Sequence, residues 1–568
     1  MDPSRPKYEL WLYGLAFLLA AGLRLARLGD FPLSDAEAIP ALQALEIAQG
    51  GRPLIGPNSA YALLSGLIFF ITEGSNFTAR LVPALAGTFL VLAPLLFRRH
   101  LGAVPAALLS VFLAIDPGLL AISRQAGSSI LAISFLVFAW GFFDLRAWRR
   151  TGFFAALALL SGPAVWAGAL GLALAWAISQ SMDRGAPKEA EEAASARPAW
   201  KTLLAAFAIT LVAFGTMLFI VPGGLNGALS GLVEYVRGWV TLSETPGRLV
   251  LFSLPLYQPL GLLFALLALG RGLRSGHRLT VRLGVWLLVA LLLAVFYPFH
   301  QVQDVAWALL PLYALAALEL ARHVDMEPEE RLEVAGVVLL MQLVLVFAWM
   351  DIASLPWNAG NASQSNLRVW LLFGALFLLV VSLLLVAVGW SARTARLGAV
   401  WGMTIFLAFF TVSSALAAGR IRAGYTAELW ASGPYPVHAE LLTASVSDLS
   451  QWGLGQVDAA PVTFYLQDYP SARWALRGRE IRMAQTLDPA SSPPILVTPF
   501  IDNPGLAAPY RGQDFTWNES PVWTTALPAD WLRWVVLRDM PQNFETLMLW
   551  VRDDYFLDSP ARNYPGVP

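Results

Sequence analysis

The sequence predicts a mainly α-helical, polytopic transmembrane bundle carrying a small α/β domain at its C-terminal end. Three observations lead there. Of 568 residues, 57% are hydrophobic and only 14% are charged, against roughly 25% charged in ordinary soluble domains. The charges crowd into short connectors and the tail, leaving many apolar stretches long enough for a hydrocarbon core about 30 Å thick. From Arg420 onward the long runs give way to short ones separated by Pro, Gly and Asp. The same composition narrows function. A net charge of −1 implies no basic surface and argues against a nucleic-acid partner. The absence of cysteine removes disulfides, thiolate catalysis and Cys-based metal sites.

Taken in order, the first apolar run (about Tyr8 to Leu28) has no small-residue cleavage site after it and reads as a retained first span. Further runs lie near 78–97, 101–121, 128–145, 152–162, 164–180, 201–221, 248–270, 283–297, 304–321, 332–352, 368–390 and 397–418, about thirteen spans in all. The stretch AYALLSGLIFFIT at 60–72 is too short to cross untilted and is expected to lie at the interface. Charge sets the orientation. With the N-terminus cytoplasmic, the arginine-rich connectors 98–100, 144–151, 181–200, 271–282, 322–331 and 391–396 fall inside. The connectors 122–127, 298–303 and 353–367 are nearly free of basic residues and fall outside.

This scheme makes residues 1–419 a membrane domain, with a first outer loop at 29–77 and a solvated, flexible cytoplasmic linker at 181–200. It delivers residues 420–568 to the extracytoplasmic side of a cell membrane. In that tail a helical pattern at 438–452 precedes the runs VTFYL, PILVTP, WLRWVVL and TLMLWV. Strands alternating with helices suggest an α/β domain, and about 150 residues suffice to bury a core.

Chemistry-bearing residues are few. In "SDAE", Ser34 and Glu37 fit a capping box, with Glu37 satisfying backbone donors. Pro40 argues for a helix that begins near Ile39 instead, leaving Asp35 and Glu37 on an irregular segment at the outer face. Arg124 in "AISRQAGSS" is placed either to snorkel toward headgroups or to bind a phosphate through its planar fork. Arg237 in "LVEYVRGWV" has a local partner in Glu234, three residues earlier. His300, Gln301 and Asp304 open the tenth span without metal-ligand spacing. Tryptophan and arginine interleave at 473–474 and 531–534, where core packing and sugar stacking both fit.

The order of these pieces carries a resemblance. An N-terminal span, an acid-bearing outer loop with a short juxtamembrane helix, "EGSNFTARLVPALAGTFLVLAPLLFRRHLG" and then "AALLSVFLAIDPGLLAISRQAGSSILAISFLVFAW" resemble the GT-C membrane glycosyltransferases. Protein O-mannosyltransferases and aminoarabinose transferases of lipid A belong to that group. The "ISRQAG" piece also looks like the second outer loop of oligosaccharyltransferase catalytic subunits. The resemblance covers roughly residues 8–180 well and the later spans loosely.

It implies inverting transfer of a sugar from a polyprenyl-phosphate donor to a protein or glycolipid acceptor among membrane lipids. Asp35 would be the base, Glu37 an auxiliary acid, and Arg124 or Arg237 would neutralise charge on the departing phosphate. His300 and Gln301 would add contacts to phosphate or acceptor. No metal ligand set is implied, and a divalent metal is left open. Ala36 separates the two acids that the family usually shows side by side, and Ser128 and Ser129 stand where many relatives carry an acid. The alternatives are a transporter or flippase for lipid-linked sugars and a non-catalytic relative acting as a membrane scaffold. Spans that look uninterrupted favour the enzyme over the transporter.

Overall fold

The protein is described by a computed structural model covering residues 7–183, 199–243, 245–358, 360–422, 427–486, 488 and 490–556. The linker expected at 181–200 lies mostly outside the described residues. Helix α1 (Lys7–Leu25) is followed by three helices in the first loop and beyond it: α2 (Asp35–Ala48), α3 (Ser59–Thr72) and α4 (Asn76–Leu90). All thirteen apolar runs fall on helix. Among the described residues seven helices are long and apolar enough to cross a membrane, or nine if each of two bent pairs is one span. The other four runs fall on the helices Lys7–Leu25, Ile130–Asp144, Trp148–Leu159 and Trp200–Gly215.

The two bent pairs overturn the expectation of uninterrupted spans. Ala103–Ile115 and Pro117–Ser123 meet at 57°, and Gly247–Tyr257 and Pro259–Ser275 at 91°. Each break stands immediately before a proline, whose missing N–H and fixed φ suit the first position of a new helix and not the middle of an old one. At the first break Asp116 caps the new helix through the Leu119 N–H at 2.7 Å. Arg24 of α1 donates to the freed carbonyls of Leu113 and Ala114, both at 3.2 Å. A buried arginine thus replaces the hydrogen bonds that the kink removes.

The C-terminal domain holds a mixed sheet in the order β1-β5-β6-β4-β2-β3. Its strands are β1 (Tyr435–Pro436), β2 (Val462–Tyr465), β3 (Ile481–Ala484), β4 (Ile495–Pro499), β5 (Tyr510–Pro521) and β6 (Gln542–Arg552). Strand β2 runs parallel to β3 and β4, while the β4–β6, β5–β6 and β1–β5 pairs are antiparallel. The expected helix at 438–452 is Ala439–Leu454, which covers the sheet over a core that includes Val446, Phe464, Val497 and Trp517.

Of the four apolar runs in the tail, WLRWVVL is not a strand. It lies in the helix Pro528–Leu537, started by Pro528 and by Asp530 accepting the Leu527 N–H at 2.8 Å. Trp531, Trp534 and Val535 then share one face at helical spacing and pack into the bundle's own core, where Trp534 is fully buried. This run is therefore a dock onto the membrane domain.

Candidate functional site

The opening stretch of the first loop folds as a helix start. Ser34 is the N-cap of α2, and its Oγ accepts the Glu37 N–H at 3.4 Å while Glu37 Oε2 accepts the Ser34 N–H at 3.2 Å. The expectation of a start near Ile39 is corrected: α2 begins at Asp35 with Pro40 inside it. The proline ring meets a carbonyl one turn back, and that carbonyl belongs to exposed Ala36 in the first turn. Its other side is filled by Gly127, where an added Cβ would lie 2.6 Å from Pro40 Cγ. Gly127 also has a φ of 68°, so two constraints fix glycine there.

Glu37 does more than cap. It is fully buried and takes both ends of the Arg80 fork, Nε to Oε1 and Nη2 to Oε2, each at 2.8 Å. The Ala126 N–H adds a third strong donor at 3.0 Å. Arg80 spends its remaining N–H groups on the carbonyls of Leu28, Phe31 and Pro32. Burial alone would push the Glu37 carboxyl up, but the Arg80 guanidinium and the Ala126 and Ser34 amides hold it below the usual range. This pair ties the loop, α2, α4 and the second loop into one body.

Arg124 is likewise committed. Its Nη1 donates to the carbonyls of Leu23, Arg24 and Ala26 at 2.9, 2.9 and 2.7 Å. Its Nη2 reaches the Arg27 carbonyl at 3.3 Å. The residue closes the C-terminal end of α1, where unpaired carbonyls and the helix dipole favour a cation. Burial, reinforced by nearby Arg80, lowers its pKa to about 10, so it stays charged at neutral pH. Only Nε is left without a partner.

Asp35 faces the C-terminal domain. Its Oδ1 accepts the Ser471 N–H at 2.8 Å, capping the helix Pro470–Ala475 from the other domain. Three residues on, Trp474 sinks among α2, α3 and α4 and donates to Asn76 Oδ1 at 2.8 Å. Asp35 makes no other hydrogen bond among the described residues and is part-exposed.

Between this dock and the Trp534 dock lie two joined hollows. One is lined by Arg80, Arg124, Arg420 and Tyr435 and, among the described residues, by no carboxylate. The other shares Arg420 and Tyr435 and adds Glu428, Glu519 and Gln542. The Arg420 guanidinium lies over the Tyr435 ring, 3.2 Å from its centroid, and its Nη1 is buried without a partner. Glu428 is buried, with Oε2 bonded to the Tyr257 hydroxyl and 3.6 Å from Arg538 Nη1, and with Oε1 unpaired. Desolvation pushes the Glu428 carboxyl up, and Arg538 and Tyr257 offset part of it. Ser34 Oγ lies 2.8 Å from Ser432 Oγ, which lies 3.3 Å from the Tyr435 hydroxyl, so the "SDAE" segment is linked through Ser432 to Tyr435, which lines both hollows.

The residues marked in the sequence therefore divide. Asp35, Glu37 and Arg124 come together at this corner. Arg237, His300 and Gln301 gather in a second one, where the Phe299 N–H bonds the Gly238 carbonyl at 3.1 Å. There Arg237 is exposed at the end of the helix Asn226–Arg237. His300 Nδ1 is paired with the Tyr297 carbonyl at 2.7 Å, and its Nε2 is buried without a partner. Gln301 offers its backbone N–H to Asp304 at 2.8 Å. A bond from Gln303 to Gln125 at 2.9 Å joins the corners. Sequence reasoning missed Arg80, Arg420, Glu428 and Arg538. The one local signal was an ionisable residue placed directly at the end of an apolar run, as Arg420 is.

No protein-family model and no curated protein matches the sequence. Among solved structures the chain resembles ArnT from Cupriavidus metallidurans bound to undecaprenyl phosphate, at 13% identity and a TM-score of 0.54, over 95% of this chain and 97% of that one. It also matches an oligosaccharyltransferase from Archaeoglobus fulgidus at 15% identity and a TM-score of 0.40, over 84% of this chain and 64% of the other. The fold is the GT-C architecture of ArnT: a helical membrane bundle with an α/β domain seated on one end.

Proposed function

We propose that the chain is a membrane glycosyltransferase, moving a sugar from a polyprenyl-phosphate carrier to a protein or glycolipid acceptor at the outer face of a cell membrane. One observation carries the reading. The fold shared with ArnT, which binds undecaprenyl phosphate, coincides with an arginine-lined hollow where bundle and C-terminal domain meet. The arginine bias of the connectors supports an inside N-terminus and an outside C-terminal domain.

In this reading the acceptor oxygen attacks the anomeric carbon from the face opposite the phosphate. The new C–O bond forms as the bond to phosphate breaks, and the electron pair leaves on the lipid phosphate. The acceptor proton passes to Asp35, whose second oxygen is unengaged while the first is held by Ser471. That bond fixes the carboxylate's direction, as a positioned base requires. Glu37, saturated by five donors, holds the loop rather than the proton. Arg124 contributes field and, through Nε, at most one hydrogen bond.

The test is transfer from a purified donor by wild type and Asp35→Asn. Asparagine can still accept the Ser471 N–H, so the cap survives and the base does not. Transfer is expected to fall about 10²- to 10⁴-fold with the melting temperature nearly unchanged. Normal transfer by Asp35→Asn would remove Asp35 from the chemistry.

The two broken spans favour one second reading, a carrier for lipid-linked sugars, because discontinuous helices surround transporter sites. Asp116, Gln258 and Tyr313 form a buried polar cluster beside those breaks. Proteoliposomes separate the two: an enzyme releases polyprenyl phosphate and glycosylated acceptor, whereas a transporter moves intact donor between leaflets.

A further inference from the structure

The hollow bordered by Arg80 and Arg124 has a third arginine whose placement the fold does not need. Arg420 follows Gly419 at the end of the helix Ala392–Ala418. Its N–H bonds the Ala417 carbonyl at 2.9 Å and its φ is 54°. That is the left-handed position after a helix end that glycine normally fills, and a long side chain there is strained by roughly 1 kcal/mol. The side chain returns nothing to the backbone in exchange. The structure gives its guanidinium two aromatic contacts, over Tyr435 and over Phe31 at 5.8 Å, and no hydrogen bond among the described residues. Its buried Nη1 is unpaired. Arg420 is part-buried as a whole, but a guanidinium nitrogen buried without a partner is costly to hold unless an anion completes it.

The surroundings specify the anion. Arg80 and Arg124 are tied to Glu37 and to main-chain carbonyls, so they supply positive potential with nearly every donor already used. Among the described residues no carboxylate lines this hollow, and the charges that reach Arg420 from Glu37 and Glu428 come from outside its lining. The adjoining one carries Glu428, Glu519 and Gln542, a lining that suits hydroxyl groups better than a second anion. We propose that Arg420 is the phosphate ligand of this protein, receiving the phosphate of a polyprenyl-phosphate carrier in the Arg80–Arg124–Arg420 hollow while the attached sugar extends into the Glu428 side. The Tyr435 ring holds the guanidinium plane, so its fork is preset for two phosphate oxygens. This rests on the glycosyltransferase reading for the identity of the carrier and on geometry alone for the anion site.

The experiment uses the full chain in detergent, with undecaprenyl phosphate, undecaprenol and inorganic phosphate as separate probes. Binding is read from the ligand-dependent rise in melting temperature. Wild type should bind undecaprenyl phosphate and not undecaprenol. Arg420→Gly should melt no lower than wild type without lipid, because glycine suits the backbone, and should bind undecaprenyl phosphate about 10- to 100-fold more weakly. Arg420→Lys should recover part of that loss. Unchanged affinity in Arg420→Gly overturns the assignment while leaving the carrier reading intact. Binding of inorganic phosphate but not undecaprenyl phosphate, lost in Arg420→Gly, keeps the anion site and overturns the carrier. A lower melting temperature in Arg420→Gly with unaltered affinity makes Arg420 structural and overturns the proposal.

Discussion

Two charged clusters share one corner of this molecule, and both are built from arginine and glutamate in buried surroundings. Around Glu37 and Arg80 the hydrogen bonding is closed: both carboxylate oxygens and every guanidinium nitrogen have protein partners. Around Arg420 and Glu428 it is open: Arg420 Nη1, Glu428 Oε1 and Arg538 Nη1 are buried without a hydrogen bond, and Arg538 Nη1 has only the 3.6 Å ion pair to Glu428 Oε2. The difference separates two uses of charge. A closed pair has spent its interaction energy on the fold, and an open one retains it for a visitor.

The largest effect expected from this contrast is in the closed cluster. Arg80→Ala leaves Glu37 buried and uncompensated, which should destabilise the protein by about 3–5 kcal/mol, read as early thermal unfolding or protease sensitivity in detergent. Arg420→Gly in the open cluster should not. Equal behaviour of the two variants would erase the distinction.

Acidity sharpens it next, because the two glutamates shift in opposite directions. Glu37 is held below its ordinary value, so its contribution is complete above the ordinary carboxylate pKa. It is lost as pH falls from there through the folded value. Glu428 is pushed up, so the native state binds its proton more tightly than the unfolded chain does. Its contribution is therefore greatest at low pH and falls as pH rises from the ordinary to the raised value. Melts of Glu37→Gln and Glu428→Gln against wild type across about pH 4 to 8 should give difference curves of opposite slope. Curves of the same sign would show that the two carboxyls do not differ as described.

The smallest effect belongs to the second corner. Arg237 is exposed, and Arg237→Ala should change stability by no more than about 0.5 kcal/mol and leave transfer at the wild-type rate. A large loss of transfer would move the phosphate from the Arg420 hollow to the Arg237 corner.

What could be read in advance followed the range of the interaction. Helices in the bundle announce themselves through local hydropathy, so each apolar run became helix. The capping box at Ser34 was visible as one of two options, and Pro40 misled because a proline early in a helix clashes only with an exposed carbonyl. The run WLRWVVL looked like its strand neighbours because seven residues carry too few turns to separate the two periods. Strand β5 was missed because Tyr510–Pro521 is largely polar and is held by pairing with β6 rather than by its own pattern. The site was least legible. Glu37 and Arg80 lie 43 positions apart and Tyr257 and Glu428 lie 171 apart, and nothing local marks either pair.

The bond between Ser34 and Ser432 spans 398 positions, and Asp35 reaches Ser471 across 436. A ribosome delivers the first partner of each pair long before the second, and domains fold in the order they emerge. The hollow beside Tyr435 therefore has no floor until the C-terminal domain has folded and seated on the bundle. On the proposed function, a half-made chain would have no closed site to offer a lipid carrier. Transfer would then switch on only as the two domains close.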